Sequence, residues 1–476
     1  MLPKSKRATS ILECFLKGGF TPWETFYCVP EFGINGATWH HAYPIDFANA
    51  AQACGNAATL TPFAAGPDGR LIYLSPFVQK LIDRPDVTNR MRVVVNRHDL
   101  GTHEGGIPLA ITGSILGSRS MACLGAHVAR YSYDHDVDHQ HVAPFAYAMA
   151  QTNSFNLTDN LACATSVGLH PGIARPLLVA ANDSSRLQTL LARGAVGGAT
   201  QRTRFDALQA NYLDQYRTRL DFPGASLPLR APSLDGFASM SATLTHNADL
   251  QALLPSEYLT SSGGSACFNR AGPQSIGSSQ VASTAFSNTT NYPAQNLKLA
   301  AHLLTHSTSP ATHCFVLDTG LREADGGGGY DTHVETPFTT AHNLLNFLDN
   351  LLALVNQPGE GNPNKIDLDE TMIILNTEFG RTIGTRLTNT GRDNWQHGYV
   401  QIYIGGPVQK GVSGVIGEDG YATSFSTPAE NRIAALLAMG IWPFDDAGYS
   451  SGQVQDNASE SVAVRSVLQR VLGVTV

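Results

Sequence analysis

Three short stretches hold most of the side chains able to do chemistry in this 476-residue chain: Asp331-Thr-His333, Glu378-Phe-Gly-Arg381 and Arg392-Asp-Asn-Trp-Gln-His397. Together they offer carboxylates, imidazoles and guanidiniums. Carboxylate and neutral imidazole are the ligands that zinc, manganese or iron take, and arginine suits a tetrahedral oxyanion. In extended backbone, residues i and i+2 point the same way, so Asp331 and His333 could share one metal. The glycines at 326–329, just ahead of them, would let the backbone approach a ligand closely.

The elements around these stretches predict where they sit. Cys314-Phe-Val-Leu317 and Met372-Ile-Ile-Leu375 read as buried strands. Between them Ala341, Leu344, Leu345, Leu348, Leu351, Leu352 and Val355 repeat at i, i+3, i+4, i+7, the stripe of an amphipathic helix. A further helix is predicted near 294–305, with Leu297, Ala300, Ala301 and Leu304 on one face. Strand–helix–strand alternation implies a parallel sheet with right-handed crossovers. Residues 9–17, closed by Gly18-Gly19, and Met91-Arg-Val-Val-Val95 read as two more strands of that sheet. In an open parallel sheet, ligands bind beyond the carboxyl ends of the strands, where all three polar stretches fall. The expected fold is one large α/β domain over 1–476, with a central mostly parallel sheet flanked by helices. Residues 130–290 form a loop-rich and helical elaboration on that sheet, with a helix near 201–220 that carries Phe205, Leu208, Tyr212 and Tyr216.

Composition narrows the function. With 39 acidic against 31 basic residues the net charge is −8, which argues against nucleic acid as the main partner. No uncharged apolar stretch nears the ~20 residues of a membrane span. The seven cysteines are scattered without a CxxC pair, a poor disulfide framework and a poor zinc cage. Lys4, Lys6 and Arg7 before Ile11–Leu16 imitate an export leader, but the apolar run is short and contains Glu13. The reading is a first strand, with no leader visible.

GGGGYDTH, the long amphipathic helix, a strand into TEFGRT, then GRDNWQHG and Tyr403-Ile-Gly-Gly-Pro-Val-Gln-Lys-Gly411 resemble a bacterial family known only as a domain of unknown function. Its members usually carry a twin-arginine export leader and are placed in the alkaline-phosphatase and sulfatase superfamily. The resemblance runs through about 294–420. It continues more weakly in Phe15-Leu-Lys-Gly-Gly19 and Trp23-Glu-Thr-Phe26. It implies an alkaline-phosphatase-like fold, an exported (periplasmic or extracellular) location, and a one- or two-metal site at the carboxyl edge. On that likeness Asp331, His333, Glu378 and His397 hold a divalent metal (zinc, manganese or calcium). Arg381 is then a supporting or oxyanion partner, and Asp393 holds metal or orients His397. Asn394 stands where members often have histidine, and Glu24 where aspartate is common. His103 occupies the place of the sulfatase nucleophile, with Thr102 beside it. A histidine there could be a phospho-accepting nucleophile, a metal ligand, a general acid or a turn cap.

Other histidines are less clear. His135, His139 and His141 lie among Asp134, Asp136 and Asp138 and read as a solvated loop. His342 is placed in the first turn of the amphipathic helix, and His98-Asp99 is placed so as to face the same cleft as His103. Two functions follow. One is a metal-dependent hydrolase of phosphate or sulfate esters, acting on a small-molecule or glycan ester. The alternative is a catalytically degenerate exported binding or assembly protein on the same fold. The sequence leaves the oligomeric state open.

Overall fold

A computed structural model describes residues 1–32, 59–118, 122–135, 147–151, 177–180, 199–220, 291–307, 310–320, 329–333, 336–383, 392–444 and 448–476. Its centre is an eight-stranded sheet. In chain order the strands are β1 (Ser10–Leu16), β2 (Met91–Asn96), β3 (Tyr147–Gln151), β4 (Leu177–Ala180), β5 (His313–Asp318), β6 (Thr371–Asn376), β9 (Tyr399–Gly405) and β10 (Gly411–Ser413). A two-stranded ribbon, β7 (Gly380–Arg381) with β8 (Asn394–Trp395), lies between β6 and β9 in sequence. The spatial order is β10-β2-β9-β6-β1-β5-β3-β4. β9 runs antiparallel to both its neighbours, and the other ladders are parallel. The expectation of a mostly parallel α/β sheet is met, with one reversed strand inside it. The alternation that suggested parallel pairing covers β5 and β6 but not β9, which follows β6 after a ribbon instead of a crossover helix.

Strand β1 is buried along its whole length because both sheet faces are covered. On one face Leu12, Cys14 and Leu16 join a core with α4 (Tyr292–Leu304) and α5 (Thr336–Ala353). On the other, Ile11, Val94, Met372 and Ile374 pack against α6 (Pro428–Met439), and Phe15 packs against α1 (His103–Thr112). Helix α6 starts where its sequence says it should. The Thr427 side chain accepts from the Glu430 amide and Glu430 reaches back, a capping box with Pro428 in the first turn. Helix α5 ends before Val355, which instead bridges to Ile366. His342 is not in the first turn of α5 but a turn further in, buried.

Of residues 130–290, those described supply the tail of α2 (Leu124–Asp134), strand β3 and the edge strand β4, and helix α3 (Ala199–Leu220). The expected helix near 201–220 is present, with Phe205, Leu208 and Tyr212 exposed on it. His135 follows α2, stacked on Tyr131. His139, His141, Asp136 and Asp138 lie outside the described residues, as do glycines 326–328. Cys14, Cys28, Cys123 and Cys314 are buried and none of them is in a disulfide. Among the described residues, no helix is long and apolar enough to cross a membrane.

Candidate functional site

The parallel direction of β1, β2, β5 and β6 brings their carboxyl ends to one edge of the sheet. There, loops from three of these strands converge. Beyond β6 the chain reads Thr377-Glu378, beyond β2 it enters α1 at His103, and beyond β5 it returns at Asp331 beside the end of β1. The link between β1 and Asp331 is steric. Gly18 has φ +110° and a Cβ built there would stand 2.0 Å from the Asp331 amide nitrogen. Only glycine lets the two backbones cross so closely.

Five side chains form an alternating file of carboxylates and imidazoles. Asp393 Oδ1 lies 3.3 Å from His333 Nδ1, and His333 Nε2 lies 3.1 Å from Asp331 Oδ1. Asp331 Oδ2 is 3.2 Å from His103 Nε2, and His103 Nδ1 is 2.8 Å from Glu378 Oε1. The carboxylates of Asp331 and Glu378 are buried, whereas the imidazoles of His103 and His333 are 22% and 28% exposed. Asp393, at the outer end, is exposed.

Burial disfavours a charged His103, but the hydrogen bonds and charges of Asp331 and Glu378 outweigh it and raise the imidazole to about 9. It is therefore an imidazolium at neutral pH. Burial also opposes ionised Asp331, and there His103 and Arg381 prevail, holding the carboxyl well below its usual range. The Gly18 amide donates to Glu378 Oε1 at 2.8 Å, and the Thr377 hydroxyl donates to Oε2 at 3.2 Å. His98 steadies the same residue from its backbone. The Leu100 amide donates to His98 Nδ1, so Nε2 carries the proton and donates to the Glu378 carbonyl at 2.6 Å. Burial lowers the pKa of His98.

Of the seven residues singled out by sequence, six meet here. Arg381 is fully buried and holds Asp331 Oδ1 at 2.6 Å. His397 stands apart. Its Nε2 faces the Gln396 amide nitrogen at 3.0 Å, its ring stacks on Tyr421 and packs against Trp395, and Asp99 is 3.9 Å from its Nδ1. Asn394 accepts from Arg381 Nη1 at 2.9 Å. Glu24 receives the Arg392 guanidinium in a buried ion pair. Sequence reasoning gave no role to Lys17, Gly18 or Thr377, and for the first two the Gly18-Gly19 pair was the visible signal. It placed His98 only as facing the same cleft as His103, and the structure sets it against the Glu378 backbone.

The donor set of Asp331, His333 and Glu378 has the oxygen and nitrogen chemistry of a divalent-metal site. Asp331 Oδ2 and both imidazoles lie outside the grip of Arg381. As the side chains stand, no three His, Cys, Asp or Glu among the described residues are grouped to hold one ion. The contacts of the file are closed by protons and by Arg381. No curated protein matches the chain. Residues 325–437, which carry Asp331, His333, Glu378, Arg381 and Asp393 but not His103, match the family described as protein of unknown function (DUF1501).

Proposed function

We propose that this edge is the active site of a hydrolase of phosphate or sulfate esters that uses a divalent cation, on an alkaline-phosphatase-like fold. The observation that carries the reading is the carboxylate–imidazole file, assembled from separate loops where open α/β sheets bind ligands. Asp331, His333 and Glu378 would hold the cation, which would supply Lewis-acid polarisation of the ester oxygens. The chain's own groups do the rest. His103, kept protonated by its two carboxylates, is placed to give a proton to a leaving oxygen as general acid. Arg381 and the Gly18 amide fix the two carboxylates before substrate arrives, the preorganisation that electrostatic catalysis depends on.

Elemental analysis of purified protein, followed by aryl phosphate, phosphodiester and aryl sulfate substrates with zinc, manganese or calcium, tests this. His333→Ala should lose both bound metal and turnover, and a fully active variant would refute the reading. The alternative is an exported binding or assembly protein. It is favoured by the engagement of both Arg381 and Arg392 inside the protein. Stoichiometric metal with no turnover on any of these substrates would select it.

A further inference from the structure

A site for a tetrahedral anion needs positive charge that can reach the substrate's oxygens. Arg381 and Arg392 do not provide it. A guanidinium has five N–H donors, and those of Arg381 are all engaged. Nε donates to the Gly19 carbonyl, Nη1 to Asn394 Oδ1 and the Arg392 carbonyl, and Nη2 to the Gly18 carbonyl and Asp331 Oδ1. Arg392 gives Nε and Nη2 to Glu24 and Nη1 to the carbonyls of Thr382 and Ile383. Both side chains are fully buried. They hold the frame together and cannot turn to a ligand without breaking it.

A third cation does face the file. Lys17 extends β1 by one residue, since its amide donates to the Asp318 carbonyl at 3.0 Å and its carbonyl accepts from the Tyr330 amide at 3.1 Å. Side chains alternate along a strand, so Glu13, Phe15 and Lys17 share a face. Glu13 meets Arg432 on α6, and Phe15 packs with Ile107, Ala110 and Ile111 of α1. The next step along that face is the first turn of α1, which holds His103 and Glu104. The Lys17 side chain is buried and interacts electrostatically with Glu378, Asp331 and Glu104. Burial pushes its ammonium down from the usual lysine range, and these carboxylates pull it back.

We propose that Lys17 is a catalytic residue, the one whose ammonium meets an anionic oxygen of the substrate's phosphoryl or sulfuryl group, opposite His103. The assignment rests on the hydrolase reading above. An ammonium carries three donors on a flexible stem, so Lys17 can keep a carboxylate contact and still add one to a substrate oxygen. A guanidinium locked in five contacts lacks that freedom.

The test is calorimetric titration of zinc-supplemented protein with inorganic phosphate at low salt, for the unsubstituted chain, Lys17→Gln, Lys17→Met and Lys17→Arg. Phosphate should bind the unsubstituted protein. The two neutral variants should weaken it by at least about tenfold, as loss of a charge-assisted hydrogen bond does, and Lys17→Arg should stay within roughly threefold. Equal phosphate affinity in the neutral variants overturns the role of Lys17 while leaving the hydrolase reading intact. No phosphate binding by the unsubstituted protein removes both. Because a buried lysine can matter for folding, a crystal structure of the unsubstituted protein with orthovanadate gives a second readout. Lys17 Nζ should lie within about 3.2 Å of a vanadate oxygen, and an oxyanion bound away from it overturns the assignment.

Discussion

Glutamate 13 sits in the middle of the central strand with no access to water, and its charge should make the fold sensitive to acid in a measurable way. Its Oε1 accepts from Arg432 Nη1 at 2.5 Å and from Asn376 Nδ2 at 2.9 Å, and His313 Nε2 lies 3.4 Å from Oε2. Burial alone would raise its pKa, but Arg432, His313 and Asn376 together bring it from 4.5 down to about 2. A depressed carboxyl stabilises the fold at any pH above its unfolded value and loses that contribution as pH falls through the folded value. The shift corresponds to about 3 kcal/mol at neutral pH, of which about 2 should be gone at pH 3. Glu13→Gln removes the titration and leaves the Arg432 charge unmatched, at a cost of about 3–5 kcal/mol at pH 7. The decisive quantity is the difference in unfolding free energy between the two proteins, from urea denaturation, because every other carboxylate cancels in it. That difference should shrink by about 2 kcal/mol between pH 7 and pH 3. An unchanged difference would show that Glu13 is not held ionised by Arg432, and the account of this buried network would fail.

Asp318, at the end of β5, should behave with the opposite sign. Burial raises it to about 6 against the pull of the Gly320 amide and the Tyr330 hydroxyl. Its protonated form is therefore favoured by folding, a gain complete below pH 3.8 and lost as pH rises through 6. Relative to Asp318→Asn, the unsubstituted protein should lose about 3 kcal/mol between pH 3.5 and pH 7.5, and a flat difference would refute it. Gly18→Ala places a methyl against the Asp331 backbone at a positive φ. It should cost about 3 kcal/mol or more in urea unfolding, and a cost below about 1 kcal/mol would show that the two backbones part easily.

Much of the scaffold was legible because its signals are local. The apolar runs became β1, β2, β5 and β6, and the stripe from Ala341 to Leu352 became the buried face of α5. The antiparallel strand β9 was not, because Tyr399-Val-Gln-Ile-Tyr-Ile404 is an apolar run like the others, and direction is set by the short ribbon before it. At the site, the types and approximate placement of Asp331, His333, Glu378 and His103 were readable. The partners of each were not. Which carboxylate faces which nitrogen depends on contacts between residues far apart in the chain, such as His103 with Glu378 and Gly18 with Asp331. Arg381 shows the limit most clearly. Its residue type suits an oxyanion, yet all its donors go to groups supplied by Gly18, Gly19, Asp331, Arg392 and Asn394.

That division between fixed and accessible groups decides which variants can report on function. Asp331 and Glu378 are buried and each is held by a donor belonging to the frame, Arg381 in one case and the Gly18 amide in the other. Removing either carboxylate leaves a buried donor or charge without its partner, so loss of activity in such a variant would mix damage to the fold with damage to the chemistry. His333 differs. It is partly exposed, and its neighbours in the file are Asp331, which keeps Arg381 and His103, and Asp393, which is already open to solvent. His333→Ala should therefore stay within about 1 kcal/mol of the unsubstituted protein in urea unfolding while losing metal and turnover. A variant that instead unfolds early would place His333 in the frame, and the case for a ligand at that position would have to rest on metal content alone.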